Sequence, residues 1–155
     1  MVITTTELER GLKMEPLIKV IDQDRINLFE VWDSPSGEAG ADYHTDTEIA
    51  QKALGGFRAP IASGRMTVAW GVEAMGKWFG PDVAGHSARV DLRFTVPVIH
   101  GDTISVKGVI THFRESEKET SVNLEMWVEN QKNQKVAVGT ASVRILEAFQ
   151  KCRTV

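Results

Sequence analysis

In the stretch "ADYHTDTEIAQKA", residues 41–53, His44 stands two residues after Asp42 and two before Asp46. An imidazole can take a proton from water near neutral pH, and a neighbouring carboxylate can orient it or hold the water. The bland alternative is a surface histidine in a turn, with Asp42 bonding the local backbone. Thr45 and Glu48 have the spacing of a capping box, so a short helix is expected to begin directly after His44. The imidazole would then sit just outside a helix N-terminus, where the positive end of the dipole favours its neutral, basic form. Asp46, in the first turn of that helix, reads as structural. Glu38 offers a second acid, but from a glycine-containing loop.

A second group of candidates opens the most apolar stretch, "IASGRMTVAWGVEAMGKWFG". Ser63 is a natural N-cap. Gly64 would then present a free amide at a helix N-terminus, a donor suited to an oxygen that gains negative charge during a reaction. A glycine there also suits close helix–sheet packing. Arg65 can pair with a carboxylate on a ligand or, as the expected use, with Glu73 or Asp42 of the chain itself. His86, His100 and His112 lack metal-ligand spacing, and the one cysteine, Cys152, excludes a disulfide within the chain and a cysteine-built metal site. No metal site is expected.

These residues need elements to hold them. Asp22 to Trp32 reads as a helix, with Asp22 as N-cap and Leu28, Phe29, Val31 and Trp32 as its apolar face. Residues 33–41 form a turn-rich loop, and "GGFRAP" ends the short helix after His44. Between Met66 and Phe79 the only charges are Glu73 and Lys77, so a helix there must be buried over almost its whole circumference. The second half alternates with period two: "RVDLRFTV", "TISVKGVITHF", "TSVNLEMWVEN" and "KVAVGTASVRIL" are four strands. The last changes apolar parity, which predicts a bulge near Gly139. Short turns, "HGD", "RESEKE" and "QKNQ", join them into an antiparallel meander with one buried face. The fold class is therefore α+β, a curved antiparallel sheet wrapped around one long buried central helix, in a single domain over residues 1–155.

Composition narrows the function. A net charge of −3 argues against nucleic acid as the main partner, because phosphate neutralisation needs a basic surface. No window approaches a membrane span, and the first residues lack a signal-peptide core, so a cytoplasmic protein is expected.

Four segments, "HTDTEIAQKA", "FRAPIASGRMT", "LRFTVPVIHGDTI" and "VAVGTASVRI", resemble the MaoC-like hydratases with the hotdog fold. The resemblance runs from about Ile18 to Leu146. It implies reversible, usually R-specific addition of water to an enoyl thioester, with coenzyme A or a carrier-protein arm as part of the substrate and no separate cofactor. It implies His44 as the catalytic histidine, Gly64 as the amide that polarises the thioester carbonyl, and Ser63 as the residue before it. The family aspartate should lie five residues before the histidine, where this chain has Ala39; the Asn and Pro positions hold Ala41 and Asp42. Asp42, or less directly Glu38, is left to supply the acid, and Arg65 replaces a commonly apolar residue.

Three readings follow. The first is a hydratase or dehydratase with His44 and Asp42 as catalytic pair and Gly64, Ser63 and Arg65 on the substrate. The second is an inactive acyl-thioester-binding subunit. The third is a thioesterase on the same fold, which needs a carboxylate aimed at the thioester carbon. Arg58, Lys77, Arg89 and Arg93 could meet coenzyme phosphates, although scattered surface charge is the default. A lone meander leaves a strand edge unpaired, so at least a homodimer is expected.

Overall fold

The computed structural model describes residues 2–32, 34–38, 40–53 and 56–146. Three long strands carry the sheet: β3 (Thr103–Glu115), β4 (Glu119–Asn130) and β5 (Lys135–Leu146). Each alternates buried and exposed residues over most of its length, with Ile104, Val106, Ile110, Leu124, Met126 and Val143 on the inner face. Two shorter strands, β1 (Leu17–Val20) and β2 (Arg89–Phe94), form the edges. The order is β1-β3-β4-β5-β2, antiparallel throughout.

Two expectations about the sheet need correction. Only β3, β4 and β5 form the meander; β2 crosses to the far edge and pairs with β5. The fifth strand, β1, was not anticipated, because four residues with Ile18 and Val20 exposed give no readable face. The bulge exists but lies earlier than Gly139. Val128 pairs with Ala137 and Glu129 with Lys135, so Val136 is the extra residue. Gly139 stays in regular register opposite Leu92, and the position needs glycine because a Cβ there would lie 1.9 Å from the Asp91 carbonyl oxygen.

The described residues also form four α-helices, α1 (Gln23–Val31), α2 (Thr47–Lys52), α3 (Gly64–Phe79) and α4 (Pro81–Ser87), of which α3 and α4 pack on the sheet. α3 is the central helix. Its Met66, Trp70, Ala74, Met75, Trp78 and Phe79 are buried against the strands. Full burial of side chains of this size contributes roughly 1.5–3 kcal/mol each. Gly71 permits the close approach, since a Cβ there would meet Val90 at 3.0 Å and Met126 at 3.3 Å. The helix is not buried all round: Arg65, Ala69, Val72 and Lys77 remain exposed. Gly80, at φ 93°, turns the chain, and Pro81 starts α4 at a position where its missing N–H costs nothing.

α1 begins as expected, with the Asp22 carboxylate accepting from Arg25 N–H at 2.8 Å. Its apolar face is another matter. Ile26 is buried, while Leu28 is 74% and Trp32 90% exposed.

Candidate functional site

Residues 60–63, just before α3, are an extended ribbon clamped on both sides by backbone bonds. Ala62 N–H donates to Val98 O at 2.8 Å, and His100 N–H to Pro60 O at 3.1 Å. Ile61 N–H donates to Tyr43 O at 3.2 Å. The clamp on the Val98 side rests on the "HGD" turn. Gly101 takes a positive φ there, and the buried Asp102 carboxylate accepts from Ile99 N–H and from Gln131. The carbonyl of the bulged Val136 accepts from Thr95 and Val96 N–H, which fixes the chain just beyond β2. A cavity of about 890 Å³ opens between this ribbon, the start of α3 and residues 94–98.

His44 lines that cavity, and its Nδ1 lies 2.7 Å from Ile61 O. A carbonyl only accepts, so Nδ1 carries the proton and Nε2 of the neutral ring is left with its lone pair. Nε2 has no hydrogen-bond partner among the described residues. The Tyr43 ring packs beside the imidazole, with centroids 4.2 Å apart and planes tilted by 50°. The loop end of His44 is tied to α1, where the Gln23 amide donates to His44 O at 3.0 Å.

Asp42 points to its own backbone. Its carboxylate accepts from His44 N–H at 2.7 Å, closing a turn, and its carbonyl accepts from Asp46 N–H at 2.8 Å. It holds the histidine's main chain and does not touch the ring. Thr45 is spent on the same turn: its hydroxyl donates to Gly40 O and accepts from Asp42 N–H. The expected cap at Thr45 is therefore corrected to Asp46, whose carboxylate accepts from Ile49 N–H at 2.9 Å. His44 lies one residue farther from the helix than expected, and its anchor is the Ile61 carbonyl. Glu38 is exposed and outside the cavity wall. Ala39 falls outside the described residues.

At the start of α3, Ser63 is the N-cap, as expected. Ser63 is buried and its hydroxyl accepts from Met66 N–H at 3.4 Å. Gly64 N–H has no acceptor among the described residues and stands on the cavity wall. The Phe94 ring covers Gly64, and a Cβ there would meet it at 2.8 Å. Arg65 also lines the cavity, but it pairs with Glu30 of α1 at 3.5 Å, not with Glu73 or Asp42. Glu73 pairs with Lys19 and Lys77. Sequence reasoning missed Tyr43, Phe94, Glu30 and the Ile61 carbonyl. Tyr43 adjoins the histidine and Phe94 stands in an alternating run, so both could have been found; a backbone carbonyl has no signature in the sequence.

Among the described residues lining the cavity, the ionisable side chains are Tyr43, His44 and Arg65; no carboxylate lines it. No cluster of metal-ligating side chains occurs among the described residues either. No described helix is long and apolar enough to cross a membrane.

A five-stranded antiparallel sheet curled around one long helix, with a cavity at that helix's N-terminus, defines the hotdog class. Solved structures agree on the fold. An R-hydratase from Pseudomonas aeruginosa superposes with a TM-score of 0.71 at 24% identity, over 90% of this chain and 83% of its own. A MaoC-like dehydratase from Rhodospirillum rubrum gives 0.73 at 20% identity, over 93% and 97%. An (R)-hydratase from A. caviae, involved in PHA biosynthesis, gives 0.69 at 20% identity, over 92% and 99%. A comparison with curated proteins gives no match. The family model described as "MaoC like domain" matches residues 42–133, more than half of the chain, and the protein belongs to that family.

Proposed function

We propose that the protein is a hydratase or dehydratase acting on an enoyl or 3-hydroxyacyl thioester, with His44 as its base and Gly64 N–H as its oxyanion donor. The observation that carries this reading is the Ile61 carbonyl. It fixes the His44 tautomer from within the same ribbon that ends in Ser63 and Gly64, so the base and the amide share one cavity.

In the hydration direction, Nε2 takes a proton from water as the oxygen bonds to C3 of the acyl group. The electron pair moves onto the thioester oxygen, where Gly64 N–H stabilises it. The imidazolium then returns its proton to C2, so one imidazole serves as base and as acid. Asp42 acts through the main chain of His44, as a positioning residue. Coenzyme A or a carrier arm would enter as part of the substrate, and no other cofactor is called for. The exposed Val72 face of α3 and the outer edge of β2 support assembly of two copies.

The absence of a carboxylate from the described cavity wall counts against the thioesterase reading, which needs one. The same observation favours the acyl-thioester-binding subunit as the second reading. Loss of enoyl-thioester absorbance, followed for short, branched and carboxylated enoyl-CoA substrates, separates the two. Turnover that falls roughly 100- to 10,000-fold in His44→Ala supports the hydratase. Acyl-CoA binding with no turnover on any substrate sinks it in favour of the binding subunit.

A further inference from the structure

The described cavity wall carries the hydroxyls of Tyr43, Ser63, Thr67 and Thr95. Thr95 donates to Lys135 O at 2.6 Å, Ser63 accepts from Met66 N–H as the cap of α3, and Tyr43 is 43% exposed and open to water. Thr67 is different. It is only 2% exposed, and its hydroxyl has no hydrogen-bond partner among the described residues. A threonine inside a helix can return its proton to the carbonyl four residues back. Here Ser63 O takes the Thr67 amide, at 3.3 Å, and not the hydroxyl. A hydroxyl withdrawn from water without a partner is costly, and an apolar side chain of the same shape would avoid that cost. The hydroxyl is not sealed off either: what surface the residue keeps opens on the cavity. Gly64 packs on Phe94 and Gly71 on Val90, so Thr67, between them on that face of α3, looks toward β2 as well. Side chains on a helix lean toward its N-terminus, and positions three apart have Cβ atoms about 5–6 Å from each other. The Thr67 side chain therefore leans toward the free amide of Gly64.

We infer that Thr67 is a second hydrogen-bond donor to the thioester oxygen, beside Gly64 N–H. The inference rests on the hydratase reading for the placement of the thioester at Gly64, and it adds a residue to that site. A carbonyl oxygen has two lone pairs, so two donors meet it without competing. No proton is transferred in this role. The bond from Thr67 strengthens as charge gathers on the oxygen during attack at C3, and it relaxes once C2 takes its proton.

The test reads the carbonyl itself. Butyryl-, isobutyryl- and octanoyl-CoA are saturated and cannot be hydrated. Isotopically labelled at the thioester carbonyl, they are bound to wild type, Thr67→Val, Thr67→Ala and Thr67→Ser and followed by infrared difference spectroscopy. In wild type the carbonyl stretch is expected to fall on binding, because donated hydrogen bonds weaken the C=O bond. That shift should shrink in Thr67→Val and return in Thr67→Ser; Thr67→Ala covers the case in which valine disturbs the core. With an enoyl-CoA that wild type turns over, kcat should fall roughly 10- to 100-fold in the valine variant while KM changes little. A carbonyl shift equal in wild type and in both hydroxyl-free variants overturns the inference, even where turnover falls, and gives the hydroxyl to the attacking water. A serine variant that behaves like the valine variant also overturns it. A shift that depends on Thr67, without turnover of any enoyl-CoA, would sink the hydratase reading alone. Turnover with a shift independent of Thr67 would sink this inference alone, and a wild type that binds none of the acyl-CoAs overturns both.

Discussion

The two walls of the cavity are held by different means. On the sheet side, residues 94–100 are fixed by main-chain bonds: Val136 O to Thr95 and Val96, Val98 O to Ala62, and the Asp102 turn beneath them. On the loop side, residues 40–46 are fixed by short side chains folded onto their own backbone, chiefly Asp42 and Thr45. The histidine belongs to the loop by sequence, yet its ring is anchored to the sheet side through Ile61. The imidazole is thus borrowed by the rigid wall from the softer one. Damage to either wall should reach it, with different signatures.

The largest effect is expected from Gly139→Ala. The added methyl would meet Asp91 backbone, which no side-chain rotation relieves. β2 must separate from β5, at a cost of about 3 kcal/mol or more. Thermal unfolding should show a large drop in Tm together with loss of acyl-thioester binding. A Tm within a few degrees of wild type would mean that the sheet wall is not rigid at its outer strand, and the contrast between the walls would fail.

Asp42 tests the softer wall. Asp42→Ala removes the acceptor for His44 N–H and should cost about 1–2 kcal/mol. Turnover should fall more than Tm, because the ring loses its approach angle while the core is untouched. Asp42→Asn keeps an acceptor at that position and should lose far less than the alanine variant. Equal and severe losses of turnover in both would show that the carboxylate itself moves protons.

The same division explains what could be read from the sequence. Ser63, Gly64 and the buried face of α3 were legible because capping chemistry and apolar periodicity are local signals. The long strands were legible for the same reason. The order of the sheet was not: β2 looks like the first strand of a meander, and only the pairing of Val90, Leu92 and Phe94 with β5 reveals the crossover. Among the residues that line the cavity, His44 was singled out and its partner was not, because that partner is a main-chain carbonyl seventeen residues away. Arg65 stood out, but its pairing with Glu30 depends on how α1 lies against the start of α3, which no spacing within either helix encodes. Trp32 shows the opposite failure. An apolar face drawn on a helical wheel says nothing of whether the single chain has anything to cover it.

The smallest effect sharpens the sheet side. Glu129 pairs with Lys107 and accepts from Trp127 Nε1–H at 2.7 Å, and its neighbour across the strands is Lys135, beside the bulged Val136. The Lys107 bond, first, and the Trp127 bond hold its carboxyl below the usual carboxylate range, against the opposing effect of burial. A lowered value in the folded state means that the unfolded chain binds this proton more readily. The stabilisation is therefore complete above the unfolded value, about 4.3, and is lost as pH falls through the lower folded one. Glu129→Gln should lower Tm by a few degrees near neutral pH, corresponding to about 1 kcal/mol. The gap from wild type should close in acid. Because Glu129 faces the charge of Lys135 across the strands, next to Val136, acyl-thioester binding should weaken along with Tm at neutral pH. A gap that stays constant down the pH scale would assign the effect to packing of the side chain, and the bulge would hold the cavity wall without help from charge.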